Sequence, residues 1–196
     1  MPIRREFRFK PDSKKAYVFV ANHFTYLDIA AGMNVVDNYF AYVGKSSVKK
    51  APLFGYMFAK LHIQVDRSDK GSRTKTLKKG IDTIKSGRSV FIMPEGGIVT
   101  ENPPQMHTPF KDGPFVMAIE NKVPIIPLVY ENFFKINEPL NLLKWGRPKA
   151  IFMEPIQTEG LTLKDIETLK LKVYQVIQGH LDKTWNHKPQ AYQNRV

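Results

Sequence analysis

The stretch AYVFVANHFTYLD, residues 16–28, decides the architecture. Residues 17–21 are β-branched and aromatic and are bounded by polar residues, so they read as a buried strand. The polar turn Asn22-His23 follows at once, and residues 26–36 (YLDIAAGMNVV) read as a helix. A strand that passes directly into a helix is half of a βα unit, and the rest of the chain repeats it.

Residues 39–44 (YFAYVG) read as a second strand, followed by a helix over 52–60 with Pro52 in its first turn. Residues 61–65 (LHIQV) read as a third strand. An amphipathic helix over 71–86 places Leu77, Ile81 and Ile84 on one stripe and Lys75, Lys78, Lys79 and Lys85 elsewhere, with Gly87 set to end it. Residues 89–93 (SVFIM) are a fourth strand, and 94–112, rich in Pro, Gly and Asn, form a long loop of the kind that often carries function. A helix near 113–121 leads to the apolar strand 123–130 (VPIIPLVY), and 149–153 form a further strand. The last helix covers 161–182, with Ile166, Leu169, Val173, Val176, Ile177 and Leu181 as its stripe. This alternation predicts an α/β fold: a single domain over 1–196 with a mixed, largely parallel sheet flanked by helices. No linker or repeat interrupts it, and the polar tail 186–196 is expected to fray.

Composition narrows the chemistry. Of 196 residues, 42% are hydrophobic and 24% charged, ordinary values for a globular chain, so disorder is not the default. Cysteine is absent, which excludes disulfides, thiolate metal sites and a thiol nucleophile. The basic N-terminus lacks the apolar stretch of a signal peptide. No apolar run of about 18 residues encodes a membrane span. The net charge of +12 points to an anionic partner surface. Nucleic acid is disfavoured because no zinc-finger, Gly-rich RNA-binding or heptad pattern accompanies the charge. The expected location is cytoplasmic, peripheral at the inner face of the membrane.

Candidate functional residues gather where predicted strands end, the rim at which open α/β sheets collect their sites. His23 stands after the first strand, and Asp28 lies five residues on, within the first turns of a helix. The chain can curl back so that the carboxylate accepts from Nδ1 and leaves Nε2 free as a base. The plainer alternatives are a hydrogen-bonded turn histidine and an acid serving the helix dipole. Glu95 and Gly96 follow the fourth strand, where the glycine lets backbone approach a ligand closely. Lys45 and Arg67 follow the second and third strands and are suited to anionic groups. A His–Asp pair without a neighbouring nucleophile deprotonates a substrate hydroxyl for direct attack. No Gly-x-Ser-x-Gly elbow exists, although Ser46, Ser47 and Ser89 remain formal alternatives. The histidines at 23, 62, 107, 180 and 187 show no metal-ligand spacing.

Read together, these blocks resemble the glycerolipid acyltransferase family, whose best-known members are 1-acylglycerol-3-phosphate acyltransferases. The His-x4-Asp motif matches at His23 and Asp28, preceded by Asn22. GKSSVKKAPLFG (44–55) with VDRS (65–68), MPEGG (93–97), TPFKDG (108–113), VPIIPLVY and FMEPI (152–156) follow in order over 17–182. The resemblance implies transfer of a fatty acyl group from acyl-CoA or acyl-acyl carrier protein to a lysolipid hydroxyl. No cofactor is implied beyond that co-substrate. It makes His23 the base and Asp28 its orienter. Lys45 and Arg67 would hold an anionic head group, Glu95 and Gly96 would bind the acceptor, and Pro127 would shape the pocket. Implied partners are a lysolipid and an acyl-thioester donor or its carrier protein. From the residues themselves, the lysines and apolar side chains of 48–58 suit contact with an anionic membrane surface, with core packing of Leu53, Phe54, Met57 and Phe58 as the alternative. One departure bears on the acceptor. The family's third block usually continues Gly-Thr-Arg, but here it reads Gly96-Gly97-Ile98. A non-phosphate acceptor such as a lyso-aminolipid is therefore an alternative, as is a non-catalytic module that binds anionic lipid.

Overall fold

The computed structural model describes residues 3–45, 54–66, 69–100, 102–133 and 148–185. Its strands are β1 (Arg4–Phe7), β2 (Val18–Ala21), β3 (Phe40–Lys45), β4 (Ile63–Val65), β5 (Ser89–Ile92), β6 (Ile125–Glu131) and β7 (Lys149–Phe152). The helices are α1 (Leu27–Val35), α2 (Phe54–Leu61), α3 (Lys70–Lys85), α4 (Gly113–Asn121) and α5 (Ile166–Trp185). Pro52 and the tail 186–196 lie outside the described residues.

The strands form one sheet in the order β1-β7-β6-β2-β5-β3-β4. Every neighbouring pair is parallel except β6 and β7, so the predicted mixed, largely parallel sheet is the observed one. β2 is fully buried because it packs on both faces. Val18 and Val20 enter one core with Val90, Ile125, Phe115, Val173 and Ile177. Phe19 and Ala21 enter the other with Phe91, Leu128, Tyr130, Ala31 and Phe58. Thus α1 and α2 cover one face, and α3, α4 and α5 cover the other. Each large apolar side chain so buried contributes roughly 1.5–3 kcal/mol, which is what holds both layers to the sheet.

Several boundaries move for physical reasons. The third strand begins at Ile63 rather than 61, because Leu61 completes α2 and the His62 ring accepts the Tyr42 backbone N–H (3.2 Å) ahead of the first β3–β4 pair. α3 starts one residue early on an Asp69 cap that accepts from Gly71 N and Ser72 N. Gly87 N donates to Ile84 O and closes its other end. The last helix starts later, at Ile166, after a 3-10 turn capped reciprocally by Thr162 and Asp165. β1 is an edge strand that the sequence reading did not include; its RREF segment is short and basic, and Phe7 holds it by stacking on Phe152 at 4.8 Å. Phe58 fills the core, whereas Tyr56 on the same helix is 64% exposed.

One internal charge ties α5 to the start of α4. The Lys170 ammonium is fully buried between Asp112 and Glu167, whose side chains are 43% and 54% exposed. Removing the acids strands a buried cation, whereas removing the cation leaves carboxylates that water reaches. The double variant Asp112→Asn/Glu167→Gln is therefore expected to lose about 3–5 kcal/mol in urea denaturation. Lys170→Met is expected to change stability by less than about 1.5 kcal/mol.

Candidate active site

β5 and β2 are neighbours at the centre of the sheet, and both run out at the same edge. The Asn22 side chain, with no exposure, continues the ladder where β2 stops: Oδ1 accepts from Tyr130 N (2.8 Å) and Nδ2 donates to Tyr130 O (3.2 Å). This fixes the point at which the chain leaves the sheet. His23 comes next and is 8% exposed.

Asp28 has no exposure, and its Oδ2 accepts three hydrogens from the turn before it. Phe24 N donates at 2.7 Å, Thr25 N at 2.9 Å and His23 Nδ1 at 3.2 Å. The Thr25 hydroxyl accepts Leu27 N at 2.8 Å and starts α1. The turn-residue and helix-dipole alternatives are thus satisfied by the same carboxylate that meets the imidazole. An acceptor-only carboxylate places the proton on Nδ1 and the lone pair on Nε2. Nε2 makes no hydrogen bond among the described residues.

Glu95 closes the other side. It is 2% exposed, and its two oxygens accept His23 N (2.6 Å) and His107 N (2.8 Å). Burial raises its carboxyl to about 8, against the opposing pull of those two backbone donors. Gly96 adopts φ +82, a conformation other residues rarely take, and a Cβ there would stand 3.2 Å from Lys111 Cε. His23, Asp28, Glu95 and Gly96 therefore come together.

Lys45 ends β3 at the same edge of the sheet, and Arg67, like Ser46 and Ser47, lies outside the described residues. Ser89 begins β5 at the opposite end of the sheet and accepts Tyr17 N, so it is remote from His23. Pro127 is buried mid-strand beside Val20. Among the described residues no three His, Asp or Glu side chains gather as metal ligands.

The 94–112 loop is pinned to α5. Met106 N donates to Gln178 Oε1 at 2.9 Å, and Gln105 Nε2 donates to the Tyr174 hydroxyl at 2.6 Å. Met106 and Phe110 are buried beneath it. The sequence reading missed these two glutamines, and also Tyr42 and Tyr130, whose hydroxyls lie on the Asp28 side of the sheet. For Tyr130 the available signal was its place at the end of the apolar run 123–130; Tyr42 and the two glutamines carried none.

A family model described as Acyltransferase matches residues 4–131. The chain belongs to the acyltransferase family. Over 164 residues it is 31% identical to the 1-acyl-sn-glycerol-3-phosphate acyltransferase of Saccharomyces cerevisiae, covering 82% of this chain and 54% of that protein. The enzyme of the same name from Haemophilus influenzae is 28% identical over 185 residues, covering 91% of this chain and 75% of that one. The chain thus spans about half the length of its yeast relative. Its fold is that of the crystal structure of the 1-acyl-sn-glycerophosphate acyltransferase from Thermotoga maritima, with a TM-score of 0.71, 19% identity, and coverage of 96% of this chain and 75% of that one.

Glu95 offers a test of the site's construction. A carboxyl held above its ordinary value stabilises the fold fully at low pH and loses that contribution as pH rises from about 4.5 toward about 8. Glu95→Gln cannot ionise, and its amide sets an N–H against one of the two backbone donors, at a cost of about 1–3 kcal/mol. The variant is expected to be less stable than the wild type at pH 5, with the gap narrowing toward pH 8 in urea denaturation. A gap that widens would mean that the two donors, not burial, govern this carboxylate.

Proposed function

We propose that this member of the family transfers a fatty acyl group from an acyl thioester to the hydroxyl of a lysolipid, with 1-acyl-sn-glycerol-3-phosphate as the leading acceptor, in phospholipid synthesis. The observation that carries this reading is the buried contact of His23 Nδ1 with Asp28, beside an Nε2 that makes no hydrogen bond among the described residues. His23 Nε2 takes the proton of the acceptor hydroxyl. The oxygen attacks the thioester carbonyl, forming the new C–O bond. The tetrahedral intermediate collapses, the C–S bond breaks, and the departing thiolate takes the proton from the imidazolium. Asp28 holds the ring in the productive tautomer and offsets the charge it acquires. The chemistry needs no cofactor besides the thioester, whether acyl-CoA or acyl-acyl carrier protein.

The names of the yeast and bacterial relatives support a phosphate-bearing acceptor. Lys45 and Arg67 are the cations assigned to its head group, because Ile98 stands where the family usually has arginine. A lyso-aminolipid is the second acceptor to test for the same reason. A peripheral contact with an anionic membrane fits the net charge of +12 and the exposed Tyr26, Leu27, Met33 and Tyr56 on the α1–α2 side. No described helix is long and apolar enough to cross a membrane.

The decisive assay offers acyl thioesters with a panel of lysolipids and follows thiol release. Release should depend on the acceptor and be fastest with 1-acyl-sn-glycerol-3-phosphate, and His23→Ala should lower it by about 10²–10⁴-fold. Acceptor-independent release, or His23→Ala at wild-type rate, would sink the reading. Salt-sensitive vesicle binding with no turnover would instead establish a lipid-binding module.

A further inference from the structure

The hydrogen bonds around residues 104–107 form a chain that starts on α5 and ends at His23. At its outer end Gln178 Nε2 donates to Asp182 Oδ1 at 2.7 Å. An ionised carboxylate only accepts, so it turns the amide nitrogen toward itself and sets Gln178 Oε1 the other way. That oxygen accepts Met106 N at 2.9 Å, and Nε2 also donates to Pro104 O at 3.3 Å. The next backbone N–H, that of His107, donates to Glu95 Oε2 at 2.8 Å, and Glu95 Oε1 accepts His23 N at 2.6 Å. Gln178 is 1% exposed and Glu95 is 2% exposed, so solvent cannot readily take over a partner lost at either point. The two backbone donors are also what opposes the effect of burial on Glu95. A loop that carries His107 N away leaves that carboxyl with one donor. It is then driven further toward the protonated form and becomes a weaker acceptor for His23 N.

We propose that Gln178 is a positioning residue for the reaction: by fixing Met106 N it places His107 N on Glu95, and through Glu95 it fixes the backbone of His23. Two anchors then define the imidazole. Asp28 sets the orientation of the ring, and Glu95 sets the backbone from which the ring projects. Only the second anchor reaches as far as α5. Gln178 lies beyond the segment 4–131 that the family model matches, and among the described residues it bonds to neither His23 nor Asp28. Its influence on the site runs through the loop alone. This assignment rests on the acyl-transfer reading of the His23–Asp28 pair.

The test compares Gln178→Leu with the exchanged pair Gln178→Glu/Asp182→Asn. Leucine keeps much of the bulk and deletes every bond. In the pair, the introduced carboxylate accepts Met106 N and the introduced amide donates to that carboxylate, so the hold on Met106 survives. Gln178→Leu should lower kcat by about ten-fold, as a small misplacement of the base does, with KM changed less, and the pair should recover most of the loss. Backbone N–H exchange at His23 and His107, followed by NMR, should be faster in Gln178→Leu and return toward the wild-type rate in the pair. Where Gln178→Leu does not fold, Gln178→Glu alone, whose carboxylate is repelled by that of Asp182, takes its place in the comparison. Thr158→Val deletes buried bonds to Ala118 O and Val123 O at the far end of β6. It controls for lost stability and should keep the wild-type kcat and His23 exchange. A folded Gln178→Leu protein with wild-type kcat and unchanged exchange at His23 would overturn the assignment, as would an equal loss of kcat in an equally destabilised Thr158→Val. Absence of turnover in the wild type would instead count against the acyl-transfer reading, and the His23 exchange would still decide the role of Gln178.

Discussion

The site depends on one oxygen atom. Asp28 Oδ2 accepts from Phe24 N, Thr25 N and His23 Nδ1, so the bonds that shape the turn between β2 and α1 also orient the His23 ring. A helix start leaves several backbone N–H groups without intrahelical partners. An aspartate just inside that start is well placed to satisfy the turn that precedes it. Here the geometry of the fold and the geometry of the imidazole cannot be separated. A change that relaxes the turn also releases the imidazole.

The sheet makes this arrangement rigid. Both faces of β2 are covered, and its neighbours β5 and β6 run parallel to it. Three strand ends are thereby brought to one edge: Asn22-His23 from β2, Glu95 after β5 and Tyr130 near the end of β6. Each contributes a polar group that reaches across to another strand's exit. Asn22 binds the Tyr130 backbone, and Glu95 binds the His23 backbone while holding the long loop through His107 N. The pins from α5, through Gln178 and Tyr174, prevent the loop from lifting away. The buried Glu95 is in this sense part of the frame, with both oxygens occupied by backbone hydrogens.

Much of this was legible in residues 16–28. The apolar run, the polar exit and the helical pattern placed the βα unit, and the five-residue spacing of His23 and Asp28 permitted the pair while the family resemblance singled it out. Periodicity succeeded wherever burial was two-sided or helical, as in β6 and α5. It failed at β1, where four residues of mixed charge become a strand only because β7 offers an edge and Phe152 a stacking partner. The inward role of Glu95 was not legible either. A carboxylate beside two glycines at a strand end reads as a ligand group or as an incidental acid in a turn, and its bonds to His23 N and His107 N follow only from the folded loop. The tyrosine hydroxyls under Asp28 were hidden because their proximity is set by Gly32, a long-range packing effect with no local signature.

The most direct measurement is the protonation pattern of the His23 ring, read from the ring ¹⁵N resonances of the neutral form. The expected result is a proton on Nδ1, held by Asp28, with an unprotonated Nε2, and loss of that pattern in Asp28→Asn. A neutral ring protonated at Nε2 in the wild-type protein would contradict the assignment of His23 as a base oriented by Asp28.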